Sequence, residues 1–203
     1  FNLCRARAGG AGIMPMVKAD GYGHGMVECA RIFAAEGADA FGVAEACEGR
    51  VLREAGIKEP IFVLVGLMPE TIPEILHYRL TPVVVDGLQL PDLASQAAAM
   101  GLEVGVHVKT DVGMGRQGCL PGEVAGLVRQ INDLPGLRLG GIMAHFPMAD
   151  DVDSDNTTEV FGRFQQVVSG LEGMLSGDCC LNIANSGCLL YTSPSPRDRT
   201  RSR

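Results

Sequence analysis

The chain has 203 residues, and its 24 acidic side chains outnumber its 17 basic ones to give a formal net charge of -7. Hydrophobic residues make up 46% and charged residues 20%, a composition that excludes a mainly disordered chain. The acidic balance disfavours nucleic-acid binding, and no apolar run approaches the ~20 residues that cross a bilayer. The seven cysteines have no regular spacing, so we predict free thiols in a reducing cytoplasm.

Short apolar runs alternate with helical patterns along most of the chain. Strands are predicted over residues 12–18, 40–46, 61–66, 81–86, 102–111, 137–146 and 181–185. Helices are predicted over residues 26–36, 47–56, from Pro69 onward, 90–101, 122–133 and 156–176. This alternation indicates an α/β protein with a parallel sheet, and both a doubly wound sheet and a β/α barrel fit it. Seven units favour a (β/α)8 TIM barrel that is cut before its eighth strand.

The composition changes after Gly187. Residues 188–203 contain four arginines against one acid, with Pro194 and Pro196 among serines and threonines. This string resembles the translation of a sequencing adapter, so we predict a barrel domain over residues 1–187 and a non-native tail over residues 188–203. The natural protein is then expected to continue beyond Gly187.

Polar side chains fall where the predicted strands end. They are Lys18, Lys109, Asp111, Arg116, His145, Asn185 and Ser186. In parallel α/β folds the carboxyl ends of the strands meet at one edge, where ligands and catalytic groups lie. This coincidence predicts an enzyme site.

Lys18 is the most specific candidate in this group, because it follows the apolar segment MPMV. A lysine buried at a strand end has a lowered pKa and is a nucleophilic amine, as covalent attachment of an aldehyde cofactor requires. The alternative is a lysine whose stem is buried while its amine reaches water. The string KADGYGHG at residues 18–25 favours the first interpretation, since its glycines allow backbone to approach a ligand and Tyr22 offers a hydroxyl to a phosphate.

Residues 18–25 closely resemble the pyridoxal-phosphate attachment motif of alanine racemases. Residues 107–118 (HVKTDVGMGRQG), 141–146 (GIMAHF) and 183–186 (IANS) resemble further segments of that family in the right order, as do residues 41–57. The resemblance implies pyridoxal 5'-phosphate as cofactor and interconversion of L- and D-alanine, which supplies D-alanine for peptidoglycan. Racemisation uses one base on each face of a planar intermediate.

The resemblance also implies a role for each matching side chain. Lys18 would bind the cofactor covalently and act as one catalytic base, and Tyr22 and Ser186 would contact the phosphate. Arg116 would donate to the phenolic oxygen of the ring, and Lys109 is carbamylated in some relatives. His145 would support the group that faces the pyridine nitrogen, and Asn185 would help to frame the site.

The second base of the family is a tyrosine from the C-terminal β domain of the partner subunit. Tyr22 is assigned to the phosphate, Tyr78 lies in a peripheral helix and Tyr191 lies in the predicted tail. We therefore expect the parent protein to be a homodimer and this chain to racemise poorly by itself. The alternatives are a racemase for serine, lysine or several amino acids, and a barrel that binds the cofactor without turnover.

Three other motifs have weaker support. GMGRQG at residues 113–118 satisfies the dinucleotide fingerprint, but Pro121 separates its glycine turn from the next helix. Residues 150–160 resemble a calcium loop through Asp151, Asp153 and Asp155, but Asn156 stands in place of its central glycine and Gly162 in place of its final glutamate. The histidines share no ligand spacing with the cysteines, so no metal site is expected.

Overall fold

The computed structural model describes residues 1–149 and 156–190. In this part of the chain six strands form one parallel sheet in which each strand pairs with the next along the sequence. The strands are β1 (Phe41–Val43), β2 (Ile61–Val63), β3 (Thr81–Val84), β4 (Val104–Lys109), β5 (Leu137–Met143) and β6 (Cys180–Asn182). Sequential order of parallel strands is the pattern of a β/α barrel, whereas a doubly wound sheet reverses its strand order.

Helices connect the strands and cover one face of the sheet. They are α1 (Asn2–Arg7), α2 (Lys18–Tyr22), α3 (Met26–Ala35), α4 (Ala46–Glu54), α5 (Ile72–His77), α6 (Leu90–Ala99), α7 (Val124–Asp133), α8 (Asn156–Ser169) and α9 (Ser186–Leu190). Short 3-10 turns at Pro69–Thr71 and Pro121–Glu123 lead into α5 and α7. None of the helices in residues 1–149 and 156–190 combines the length and the apolarity that a membrane crossing needs.

Alternate residues of the strands build the core between the sheet and the helices. Around β1 and β2 the packed side chains include Phe41, Val43, Ile61, Val63, Ala30, Leu52 and Ile75. Around β4 and β5 they include Val104, Val106, Val108, Ile142, Leu127, Ile131 and Phe164. Each fully buried apolar side chain contributes ~1.5–3 kcal/mol, so this layer holds the crossover helices on the sheet.

The strand predicted over residues 12–18 is wrong in extent. The segment forms only an isolated parallel bridge between Met16 and Gly42. Pro15 has no N–H for a ladder, although its carbonyl accepts a hydrogen bond from the Gly42 N–H at 2.9 Å. The chain leaves the sheet directly afterwards, so Lys18 begins α2 and does not end a strand.

The helix predicted over residues 156–176 ends at Ser169, because Gly170 follows it and Gly173 adopts a φ of +79°. The calcium-like segment lies partly outside the described residues, as does most of the predicted tail. Helix α9 runs through residue 188, where Cys188 is buried. The boundary at residue 187 between the barrel domain and a non-native tail stays a prediction.

The opposite face of the sheet, inside the curve of the barrel, carries a buried histidine. His107 on β4 is only 6% exposed, its ring lies 4.7 Å from that of Phe62, and its Nδ1 has no hydrogen-bond partner. A Cβ on Gly141 would lie 2.5 Å from that Nδ1 atom, so glycine is required opposite the ring. Burial lowers the pKa of His107 from 6.5 to about 4, and Arg138 adds to the effect.

The buried His107 predicts a loss of stability in mild acid. The unfolded chain takes up a proton near pH 6.5 and the folded chain only near pH 4, so acidification favours the unfolded state. Between pH 7 and pH 5 this residue should remove about 2 kcal/mol of the free energy of unfolding. The free energy of unfolding can be measured by urea titration at pH 7 and at pH 5. The difference between the two values should be smaller in His107→Phe than in the unmodified chain, and it should persist in the control His77→Gln, whose histidine is exposed. An unchanged difference in His107→Phe would contradict this account.

Candidate active site

Lys18 begins a turn with unusual backbone geometry, which we call the Lys18 turn (residues 18–22). Ala19, Asp20, Gly21 and Tyr22 all have left-handed φ angles between 51° and 63°. For residues other than glycine this conformation costs roughly 1–2 kcal/mol each. Strain of this kind persists only where the surrounding structure holds it, and it is concentrated at functional sites.

Hydrogen bonds to the residues on either side of the Lys18 turn hold part of it in place. The Gly21 N–H donates to the Val17 carbonyl at 2.8 Å. Asp20 closes the segment from the other side, because its Oδ1 accepts the Met26 N–H at 2.9 Å and its carbonyl accepts the Gly25 N–H at 2.9 Å. The start of α3 is thereby fixed to the turn that carries Lys18.

Glu48 on α4 contacts the same turn from outside. Its Oε1 accepts the Ala19 N–H at 2.7 Å, and its Oε2 accepts the Ala44 N–H at 2.6 Å. Glu48 is not among the site residues predicted from the sequence. Its position three residues after Glu45 is a helix-capping pattern, which gives a sequence signal for the cap but none for the contact with Ala19.

Lys109 ends β4 on the inner face of the sheet and is buried. Its Nζ donates to Gln117 Oε1 at 3.0 Å, while Gln117 Nε2 donates to the carbonyls of Leu64 and Val65 at 2.9 and 2.8 Å. Those two carbonyls fix the amide with its oxygen toward the lysine. Burial lowers the pKa of Lys109, Arg116 and Lys18 lower it further, and Asp111 opposes them.

The loop after β4 is organised around Asp111. Its carboxylate accepts the backbone N–H groups of Gly113, Gly115 and Arg116 at 2.9, 3.1 and 2.9 Å. Burial alone would raise the pKa of Asp111, but these hydrogen bonds together bring it below its ordinary value. Since the N–H groups of the glycine-rich turn bind Asp111, they do not form the cradle that a dinucleotide would need.

Gly118 returns the same loop to the sheet at a φ of +147°. A Cβ at this position would lie 2.4 Å from the backbone nitrogen of Asp111, so only glycine fits there. The loop thereby carries Arg116 past the end of β4, where its side chain is exposed. A tight turn that presents Arg116 accounts for the glycines of this segment.

His145 lies two residues after β5 and is half-buried. Burial lowers its pKa, and the charges of Arg116, Lys109 and Lys18 lower it further. Lys18, Lys109, Arg116 and His145, which we call the basic cluster, are therefore close enough to act on one another electrostatically. The carboxyl ends of β4 and β5, together with the segment that follows the Met16–Gly42 bridge, bring together groups that are up to 127 positions apart in the sequence.

Of the remaining predicted residues, Asn185 and Ser186 follow β6, whereas Tyr22 ends the Lys18 turn. Asn185 Nδ2 donates to the Phe146 carbonyl at 3.4 Å, and its Oδ1 accepts the Cys188 N–H at 3.1 Å. Asn185 thus joins the start of α9 to the residue after His145. Ser186 begins α9 and is exposed, and Tyr22 is 62% exposed at the end of the Lys18 turn. Their contacts with a phosphate stay predictions, as does carbamylation of Lys109.

The residues present fit an anionic aromatic aldehyde such as pyridoxal phosphate. Lys18 would offer an amine for covalent attachment, and the other members of the basic cluster would offer cationic or donor groups to a phosphate and a phenolate. The nearby carboxylate of Asp111 is already bound by backbone N–H groups and does not neutralise the cluster through a direct ion pair with it.

Comparison with known proteins identifies the family. A family model described as the N-terminal domain of alanine racemase matches residues 1–202. The alanine racemase of Halothermothrix orenii is 39% identical over 159 residues, which are 78% of this chain and 42% of that protein. The alanine racemase of Thermodesulfovibrio yellowstonii is 39% identical over 88% of this chain and 47% of that protein.

Solved structures agree with the sequence relatives. The alanine racemase of Clostridium difficile 630 superposes with a TM-score of 0.86 at 29% identity, covering 93% of this chain and 50% of that one. The alanine racemase of E. faecalis gives a TM-score of 0.79 at 30% identity, covering 96% and 54%. The predicted TIM-barrel class is confirmed, with six strands and one bridge in place of seven strands. The chain spans about half the length of these relatives, and it belongs to the alanine racemase family through the N-terminal domain.

Proposed function

We propose that the protein to which this chain belongs interconverts L- and D-alanine with pyridoxal 5'-phosphate as cofactor. The observation that carries this proposal is the convergence of the basic cluster at the carboxyl ends of the strands. The names of the sequence relatives and of the solved structures support the same activity. When bound, the cofactor would supply the electron sink that stabilises a carbanion at the α-carbon of the amino acid.

The side chains of this chain would divide the remaining tasks. Lys18 would attach the cofactor and move a proton at its Nζ on one face of the substrate. Tyr22 and Ser186 would donate hydroxyl hydrogen bonds to the phosphate, and Arg116 would donate to the phenolic oxygen. His145 and Asn185 would frame the site. The second base, and with it a homodimer, are expected from the family resemblance.

A carbamate on Lys109 would orient Arg116, because its added carboxylate would attract the guanidinium. The basic cluster has an excess of positive charge, so a carbamate on Lys109 would be favourable there, and the lowered pKa of Lys109 would increase the fraction of reactive neutral amine. In either state Gln117 would restrain the side chain through the two carbonyls that it binds.

The first prediction of this proposal concerns Lys18 itself. The chain has three lysines, Lys18, Lys58 and Lys109, so borohydride reduction with pyridoxal phosphate and peptide mass analysis can assign the attachment site. We expect one adduct, at Lys18, that Lys18→Ala abolishes and that Lys58→Ala, the change of an exposed lysine, leaves intact. A single adduct that survives in Lys18→Ala would show that another lysine binds the cofactor.

The second prediction concerns the electrostatics of the basic cluster. Because Arg116 helps to depress the pKa of His145, Arg116→Ala should raise that pKa toward its ordinary value of 6.5, while the part due to burial remains. Proton NMR titration measures this change, and His145→Gln assigns the resonance. Arg129→Ala, which removes an exposed arginine on α7, is the control and should leave the titration unchanged. Equal shifts in both variants would refute the proposed proximity of Arg116 and His145.

A further inference from the structure

We infer that Glu48 is a positioning residue that holds the Lys18 turn and thereby aims the Lys18 amine at the other members of the basic cluster. This inference rests on the proposed function, in which Lys18 attaches the cofactor. Glu48 does not belong to the basic cluster. It lies on α4 and acts on Lys18 only through the backbone of the adjacent residue.

The carboxylate of Glu48 connects two segments that meet beside the site. Oε1 accepts the N–H of Ala19, the residue after Lys18, at 2.7 Å, and Oε2 accepts the N–H of Ala44, the residue after β1, at 2.6 Å. Hydrogen bonds to a charged acceptor are shorter and stronger than neutral ones. The start of the Lys18 turn is therefore fixed relative to the sheet through one side chain.

The conformation of the Lys18 turn explains why an outside anchor is needed. Ala19 is the first of five consecutive left-handed residues, which end at Gly23, and its φ of 51° is unfavourable for a side chain with a Cβ. The bond from Glu48 acts at the residue where the left-handed run begins. Without it, Ala19 could relax toward an ordinary backbone conformation, and the direction of the neighbouring Lys18 side chain would change.

Helix capping does not account for both oxygens of Glu48. As the third residue of α4, Glu48 accepts the Glu45 N–H through Oε2 at 3.2 Å, which is half of a capping box. That role requires one oxygen only. The other oxygen, Oε1, accepts the Ala19 N–H outside the helix. The capping bond and the bond to Ala19 can therefore be separated by experiment.

The test compares Glu48→Ala and Glu48→Gln with Glu45→Ala, which removes the partner carboxylate of the capping box but has no contact with Ala19. Two readouts are used: hydrogen exchange of the Ala19 amide, and the rate at which pyridoxal phosphate forms a borohydride-stable adduct at Lys18. We expect Glu48→Ala to speed the exchange and slow the adduct by about tenfold each, as loss of one charged hydrogen bond implies. Glu48→Gln retains an acceptor oxygen and should change both by about threefold.

The two readouts separate the inference from the proposed function. If Glu48→Ala and Glu45→Ala lower the Tm alike and neither changes exchange at Ala19 or adduct formation, Glu48 is only a helix cap and the inference is wrong. If the unmodified chain forms no adduct at Lys18, the proposed function fails, and faster exchange at Ala19 in Glu48→Ala still establishes the anchor. Should Glu48→Ala not fold, Glu48→Gln decides, and unchanged exchange in that variant overturns the inference.

Discussion

Parallel pairing of consecutive strands is the constraint on which the site depends. Each strand of the sheet runs in the same direction as its neighbour, so the residue that follows every strand arrives at the same edge. Lys109 and His145 are 36 residues apart in the chain. Lys109 ends β4 and His145 lies just after β5, and these two strands pair directly. The core between the strands and the helices fixes this arrangement, because the crossover helices can bury their apolar faces only against one side of the sheet.

The same edge concentrates positive charge, and among the residues that the structure describes no direct ion pair neutralises it. Burial and mutual repulsion lower the pKa values of Lys109 and His145, and the carboxylate of Asp111 is bound by the backbone of its own loop. An anionic ligand would relieve this repulsion, so the stability of the site is linked to binding. The uncharged amide of Gln117 restrains the Lys109 side chain without reducing its charge.

Hydrophobic periodicity in the sequence was sufficient to predict the strands from β1 to β6 and the crossover helices, since burial on one face or both leaves a direct pattern. It could not predict the left-handed Lys18 turn, because Ala19 has no intrinsic preference for positive φ and is held there by neighbours. Gln117 was missed for a related reason: its partners at Leu64 and Val65 are more than 50 residues away, and a single polar residue in a loop carries no period. The first predicted strand is reduced to a single bridge, because Pro15 lacks an N–H for a ladder and a turn begins at Lys18.

The central claim is that the basic cluster is one site that binds an anionic aldehyde through Lys18. A crystal structure of the chain grown with pyridoxal phosphate tests it most directly. The account predicts electron density continuous with Lys18 Nζ, a phosphate next to the hydroxyls of Tyr22 and Ser186, and Arg116 directed at the phenolic oxygen. Density attached to Lys58 or Lys109, or a ligand bound away from the carboxyl ends of the strands, would contradict it.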